Sequence, residues 1–231
     1  MNNPKKIRIG AITIGQSPRV DITGDICPLL APNIELQEYG ALDPFDKNYV
    51  DCNFSPKPNS DVLVTRMRDG SQVIIGEKFI LSLIQDCIIR AEKEGCQAVA
   101  LLCTGRFPNL KHHKMLIIPQ MLIHDVLKRL ADNRPVGILV PHCSQISQAQ
   151  NWFKESNLNI RVLALSPYQE TSCLREKIHA FREEGLSLVL PDCMGYSISI
   201  KKEIEQILSI PVLLPRTFLA SLINELFASR P

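Results

Sequence analysis

Gln97-Ala-Val-Ala-Leu-Leu-Cys-Thr-Gly-Arg106 is the stretch from which the fold is read. A short run of this composition, preceded by Gly95, suits a strand buried on both faces, as in parallel sheets. Cys103 closes the run, and Thr104, Gly105 and Arg106 follow at once. Ligands of open parallel sheets collect at the carboxyl ends of strands, so these residues are the first candidates for a site. A second stretch has the same design: Leu186-Ser-Leu-Val-Leu-Pro-Asp-Cys193-Met-Gly-Tyr196. Each follows a Glu/Lys-rich helical pattern that stops at Glu-Gly, Glu94-Gly95 before the first and Glu184-Gly185 before the second. The matching order and near-matching spacing read as an internal duplication that puts one cysteine at a strand end in each of two lobes.

The flanking sequence supports alternating strands and helices. Lys6 to Gly15 reads as a first strand. Gln16, Ser17, Pro18 and Arg19 follow, and Ser-Pro suits a helix start with Pro at the first helical position. N–H groups at such a start, beside Arg19, would suit a carboxylate or phosphate; the alternative is an ordinary turn with an exposed Arg. Ile34 to Tyr39 is a second strand. Residues 40–60, with Gly40, Pro44, Pro56 and Pro58, read as a long irregular loop. Asp69-Gly70 between two apolar runs signals a β-hairpin. Glu77 to Glu94 carries a helical apolar stripe stopped by Gly95. Met115 to Ile118 is a short strand and Pro119 to Ala131 a helix. The pattern then restarts near Arg134: strand 135–140, helix 144–155, strand 160–165, helix 171–184, strand 186–190, helix 197–208, short strand 212–214 and a last helix 216–228. This order predicts an α/β fold of two pseudosymmetric parallel-sheet lobes, residues 1–118 and 119–211, with helices on both faces and a cleft between the lobes.

Composition narrows the class. Of 231 residues, 45% are hydrophobic and 22% charged, and the net charge is only +2. That balance argues against nucleic acid and against an anionic membrane surface as partners. No apolar run reaches the roughly 18 residues of a membrane span, and Ile7 to Ile14 is too short for a secretion signal, so a cytoplasmic protein is expected. Eight cysteines without a C-x-x-C pair argue against a disulfide framework or a structural zinc site. Cys87, Cys96 and Cys173 fall in or beside helical patterns and read as core or boundary residues. His112 and His113 are adjacent and point apart on most backbones, a poor metal pair. No metal and no cofactor is expected.

Two thiols on opposite walls of a cleft can perform a reaction that needs no cofactor. One thiolate removes a proton from carbon and the other thiol returns one to the opposite face, inverting the centre. A carbon acid next to a carboxylate needs donors for the developing charge. Backbone N–H groups around Thr104, Gly105 and Gly195 are candidates, and Arg106 is a candidate cation. The competing reading is that both cysteines are core filler, since free Cys is among the most buried residue types. His142 is a proton-relay or surface-turn residue, and Tyr196 a pocket cap or a packing residue.

Cys103-Thr104-Gly105 and Asp192-Cys193-Met194-Gly195 resemble the aspartate/glutamate/hydantoin racemase superfamily. The chain more narrowly resembles the AroM family, through Thr13-Ile14-Gly15 with Gln16-Ser17-Pro18-Arg19, the Asp-Gly hairpin, Val140-Pro141, the Asp-Cys-Met-Gly-Tyr segment and Pro211-Val-Leu-Leu214. The resemblance implies a cofactor-independent reaction at a carbon beside a carboxylate or carbonyl. It implies Cys103 and Cys193 as acid/base groups and Thr104 and Gly105 as carboxylate-binding residues. It also implies that the chain after about residue 212 returns to the first lobe. Thr-Gly-Arg after the first Cys departs from the racemases' Asn-Thr and is nearer the maleate isomerases. The expected substrate-binding set is Gln16, Ser17, Arg19, Thr104, Gly105, Arg106 and Gly195, and the partner a small carboxylate-bearing ligand. Two alternatives stay open: a non-catalytic small-acid binding or regulatory protein, and a one-thiol decarboxylase or cis–trans isomerase. A homodimer is also open.

Overall fold

The computed structural model describes residues 6–58, 60–168 and 171–228, with backbone only at 171–173 and 183. The chain divides into two compact units, Met1–Pro119 with Arg216–Pro231, and Gln120–Pro215. The first unit runs β1 (Ile7–Thr13), α1 (Val20–Ile26), β2 (Ile34–Gly40), α2 (Lys47–Asn53), β3 (Val62–Arg66), β4 (Gln72–Gly76), α3 (Glu77–Lys93), β5 (Ala98–Leu101) and β6 (Met115–Ile117). The second begins with α4 (Pro119–Ala131). It continues through β7 (Val136–Val140), α5 (Ile146–Lys154), β8 (Ile160–Ala164), α6 (Thr171–Ala180), β9 (Leu188–Pro191) and α7 (Ile198–Leu208), and α8 (Pro215–Phe227) then joins the first unit.

Both main sheets are parallel. The first has the order β2-β1-β5-β6, and the second β8-β7-β9, extended by a single parallel bridge from Val189 to Val212. Every residue of β5, β7 and β9 is buried. That is why these segments appear in sequence as unbroken apolar runs rather than alternating ones. In the first unit α3 packs against β1 so closely that a Cβ on Gly10 would lie 2.8 Å from that of Ala91. Ile80, Ile84, Cys87, Ile88 and Ala91 of α3 share one core with Leu63, Val73 and Ile75 of the antiparallel β3–β4 hairpin. The second unit has its own core, built from Leu139, Val189, Leu165, Ile178, Tyr196 and Ile204 among others.

The return of α8 is held by polar contacts as well as by packing. Arg216 is 0% exposed and donates to Asp25 Oδ2 at 2.7 Å and to the Asp21 carbonyl at 2.9 Å. Asn224 accepts from the Ala31 N–H at 2.9 Å and donates to the Leu29 carbonyl at 2.7 Å.

Several local expectations are corrected. Residues 40–60 are not irregular throughout: Asp46 caps α2 by accepting the Tyr49 N–H at 2.8 Å. The helix expected from Pro18 begins only at Val20, because the Ser17 hydroxyl is given to Asp43 instead of capping it. The helix expected over 171–184 ends at Ala180, and residues 182–184 form a tighter 3-10 turn before Gly185, whose φ of +61° favours glycine. The strand expected at 212–214 contributes only the Val212 bridge. Cys87 and Cys96 are buried, as read from the sequence; the Cys173 side chain lies outside the described residues.

Candidate active site

The two stretches that end in Cys103 and Cys193 have the same local architecture. In the first unit β1 and β5 run side by side, with Ile12 opposite Leu101, and the pairing continues through the Leu102 N–H to the Ile12 carbonyl at 2.7 Å. In the second, Leu139 stands opposite Pro191, and the Asp192 N–H reaches the Leu139 carbonyl at 2.8 Å. Leu102 and Asp192 are therefore equivalent, and the next residue in each unit is the cysteine. After it the chain turns. The Gly105 N–H donates to Cys103 Sγ at 3.3 Å, and the Gly195 N–H donates to Cys193 Sγ at 3.3 Å. The duplicated feature is thus a Cys-x-Gly turn that aims a backbone donor at sulfur, just beyond the carboxyl end of a buried strand.

The surroundings of the two thiols differ. Cys103 is 9% exposed, and Thr104 and Gly105 beside it are buried. Gly105 is pressed against Leu63 of the hairpin and Phe107, where an added Cβ would meet carbons at 2.8 and 2.9 Å. Arg106 is half-buried, and its charge reaches Glu77 at the start of α3. Burial and the neighbouring Asp61 raise the Glu77 pKa above its usual value, and Arg106 opposes them. Cys193 is more accessible than Cys103. Tyr196, 0% exposed, donates its hydroxyl to the Leu165 carbonyl, so it is a packing residue of the second core. Burial, with the charges of Cys193 and Asp192 nearby, pushes its phenol pKa well above the usual value. His142 caps the short turn at 143–145, with Nδ1 facing the Ser144 hydroxyl at 2.8 Å.

Gln16, Ser17 and Arg19 emerge from β1, the strand next to the one that carries Cys103, and they form a polar lattice. Gln16 donates to the Phe45 carbonyl at 2.9 Å and accepts the Arg68 N–H at 2.7 Å. Arg19 is 4% exposed and pairs with both oxygens of Asp21 at 2.8 Å. It also donates to the hydroxyls of Thr13 and Thr65 at 3.2 and 3.3 Å. The Arg19 N–H donates to Glu38 at 2.6 Å.

The hub of this lattice, absent from the sequence candidates, is Asp43. Its carboxylate accepts the Ser17 N–H at 2.7 Å, the Ser17 hydroxyl at 2.8 Å, the Gly40 N–H at 3.0 Å and Arg68 at 3.2 Å. Ser17 and Arg68 lie 26 and 25 residues away, so no local pattern marks the residue. The only sequence signal is the tight Gly40-to-Asp43 turn. Among the described residues no group of three or more His, Cys, Asp or Glu could hold a metal ion. No helix among them is long and apolar enough to cross a membrane.

A family model described as AroM protein matches residues 9–227. The chain belongs to the AroM family. No curated protein sequence matches it. Among solved structures it is similar to allantoin racemase from Klebsiella pneumoniae, at 14% identity and a TM-score of 0.65 over 96% of this chain and 88% of that one. It is similar to the maleate isomerase Iso from Pseudomonas putida S16, at 12% identity and a TM-score of 0.64 over 96% and 93%. A liganded mutant of arylmalonate decarboxylase matches at 16% identity and a TM-score of 0.67 over 98% and 96%. At these identities the shared property is the α/β fold alone.

Proposed function

We propose that this AroM-family chain is a cofactor-independent racemase- or isomerase-like enzyme acting at a carbon next to a carboxylate in a small metabolite. Cys103 and Cys193 are its acid/base groups. The observation that carries the reading is the repeated turn in which Gly105 and Gly195 each aim an N–H at the cysteine two residues earlier. A single cysteine at a strand end is ordinary filler; two at equivalent positions, each with a backbone donor on sulfur, suit thiols that must carry negative charge. Fold likeness to proteins named as racemases, an isomerase and a decarboxylase supports the class.

In this mechanism one sulfur takes the proton from the substrate carbon, and the electron pair left behind delocalises into the adjacent carboxylate. The other thiol then returns a proton to carbon. The proton count balances and no electron is gained or lost, so the step calls for no redox partner. The charge that builds on the carboxylate needs donors placed in advance. The N–H groups of Gly105 and Gly195 face sulfur, which leaves the carboxylate chiefly to Thr104 and the Arg106 guanidinium. Gln16, Ser17 and Arg19 shape the neighbouring strand end.

The test is turnover across a panel of small carboxylic acids with an α-proton, aspartate, glutamate and 2-arylpropionates among them, followed by chiral chromatography, with maleate and arylmalonates added to detect the one-thiol reactions. The reading predicts turnover of at least one, lowered about 10²–10⁴-fold in Cys103→Ala and in Cys193→Ala. Saturable binding without turnover of any panel member would leave a binding protein. The greater accessibility of Cys193 favours a second, one-thiol reading. In that case Cys103→Ala keeps activity and Cys193→Ala loses it.

A further inference from the structure

Given Cys193 as an acid/base group, as proposed above, we infer that Tyr168 is a positioning residue that acts through it. Its phenol hydroxyl supports the thiolate form of Cys193.

The chain that leaves β8 is tied to the segment carrying Cys193. The buried Tyr196 hydroxyl donates to the carbonyl of Leu165, one residue past the end of β8. That bond limits where the next residues can lie. The Ser166 hydroxyl then accepts the Tyr168 N–H at 3.2 Å and turns the chain back. Pro167 and Tyr168 come to rest on Gly195. A Cβ added there would lie 2.6 Å from the Tyr168 hydroxyl oxygen, and 2.9 Å from both its Cζ and Pro167 Cγ. The ring meets the turn tip first, with its polar atom nearest.

The duplicated turn of the first unit is covered differently. There the atoms nearest to a Cβ on Gly105 are carbons of Leu63 and Phe107. Both turns aim a backbone N–H at sulfur from 3.3 Å. At the second, the closest atom is a hydroxyl, which can donate and accept. An aromatic that only packed would present ring carbons, as Phe107 does.

The charges around Cys193 give that hydroxyl its use. Asp192, directly before the cysteine, opposes a thiolate. Tyr196 spends its hydroxyl proton on Leu165. The Gly195 N–H and the Tyr168 hydroxyl act against Asp192. A phenol with an ordinary pKa of about 10 stays neutral at pH 7, so Tyr168 works as a dipole and carries no proton away. Its hydrogen turns toward sulfur when Cys193 is a thiolate, and its oxygen accepts when Cys193 is a thiol. The first bond is the stronger because its acceptor is charged, so the thiolate is favoured.

Iodoacetamide alkylation of the full chain, mapped by peptide from about pH 6 to about pH 10, tests this. Tyr168→Phe keeps the ring and removes only the oxygen. The pH of half-maximal Cys193 alkylation should rise by about one unit, and the rate at pH 7 should fall about five- to tenfold. The plateau rate at high pH should stay within about twofold, because access to sulfur is kept. Cys103 in the same samples should keep its own profile. Ser166→Ala loosens the turn but leaves the phenol, and should shift Cys193 in the same direction by less. A Tyr168→Phe profile that superimposes on the wild type overturns the proposal. So does a lowered plateau without a shift, which is what packing alone would give, or a shift shared by Cys103, which marks a change of the whole fold. Alkylation needs no turnover: a panel without turnover strikes the enzyme reading and leaves the Tyr168 result standing, and a superimposed profile does the reverse.

Discussion

Gly195 places its backbone N–H 3.3 Å from Cys193 Sγ, in a turn with little room for a side chain. A Cβ at position 195 would come within 2.6 Å of the Tyr168 hydroxyl oxygen and 2.9 Å of Pro167 Cγ. Gly195→Ala should therefore press on Pro167 and Tyr168 and weaken the donor's contact with sulfur. The variant should react with iodoacetamide at Cys193 several-fold more slowly at fixed pH, because thiolate is the reacting form. In the wild type Cys193 should react before Cys103, which is 9% exposed. Peptide mapping of the alkylated protein over time checks both statements.

Asp43 holds the end of β1 in place through its four donors. Replacing it with Ala leaves the Ser17 and Gly40 N–H groups without that acceptor. Asp43→Ala should cost about 2–4 kcal/mol in denaturant unfolding, and Asp43→Asn, which keeps an acceptor oxygen, about half as much. Equal losses in the two variants would show that shape rather than hydrogen bonding is at stake.

Asp21 links folding to acid. Burial alone would raise its pKa, but the hydrogen bond and charge of Arg19, helped by Arg66, hold it below the usual 3.8. A depressed carboxylate contributes stability above its unfolded pKa and loses it as pH falls through the folded one. Asp21→Asn should lower the Tm by about 5 °C at neutral pH. The gap to wild type should narrow below about pH 4. A gap independent of pH would remove the ion pair from the account.

Glu77 should behave in the opposite sense. Burial and Asp61 raise its pKa above 4.5 despite Arg106. Its charged form therefore costs the fold stability at neutral pH, and the cost disappears as pH falls through the raised pKa. Glu77→Gln should raise the Tm at pH 7, with a gain that shrinks on acidification. A Tm loss at pH 7 would mean that the carboxylate's position at the start of α3 outweighs its burial.

The fold was legible where burial wrote a continuous pattern. β5, β7 and β9 are buried at every residue, and the Glu-Gly stops at 95 and 185 have positive φ, so runs and punctuation could be read directly. α2 was hidden because its seven residues bury only Val50, too little for an apolar stripe, amid prolines that signal a loop. The two cysteines were legible as a pair because duplication repeats Cys-x-Gly. The lattice around Arg19 was not: Asp43, Glu38, Thr65 and Arg68 reach it from segments far apart in sequence. Arg216 read only as the first residue of the last helix, yet it is fully buried against α1, a fact set by where α8 packs.

The most direct measurement of the central claim is solvent deuterium incorporation at the substrate's α-carbon, followed by mass spectrometry for the panel acids in heavy water. The two-thiol account predicts wash-in by the wild type, with stereochemical inversion, and its loss in both Cys103→Ala and Cys193→Ala. Exchange that persists at the wild-type rate in either variant would contradict it.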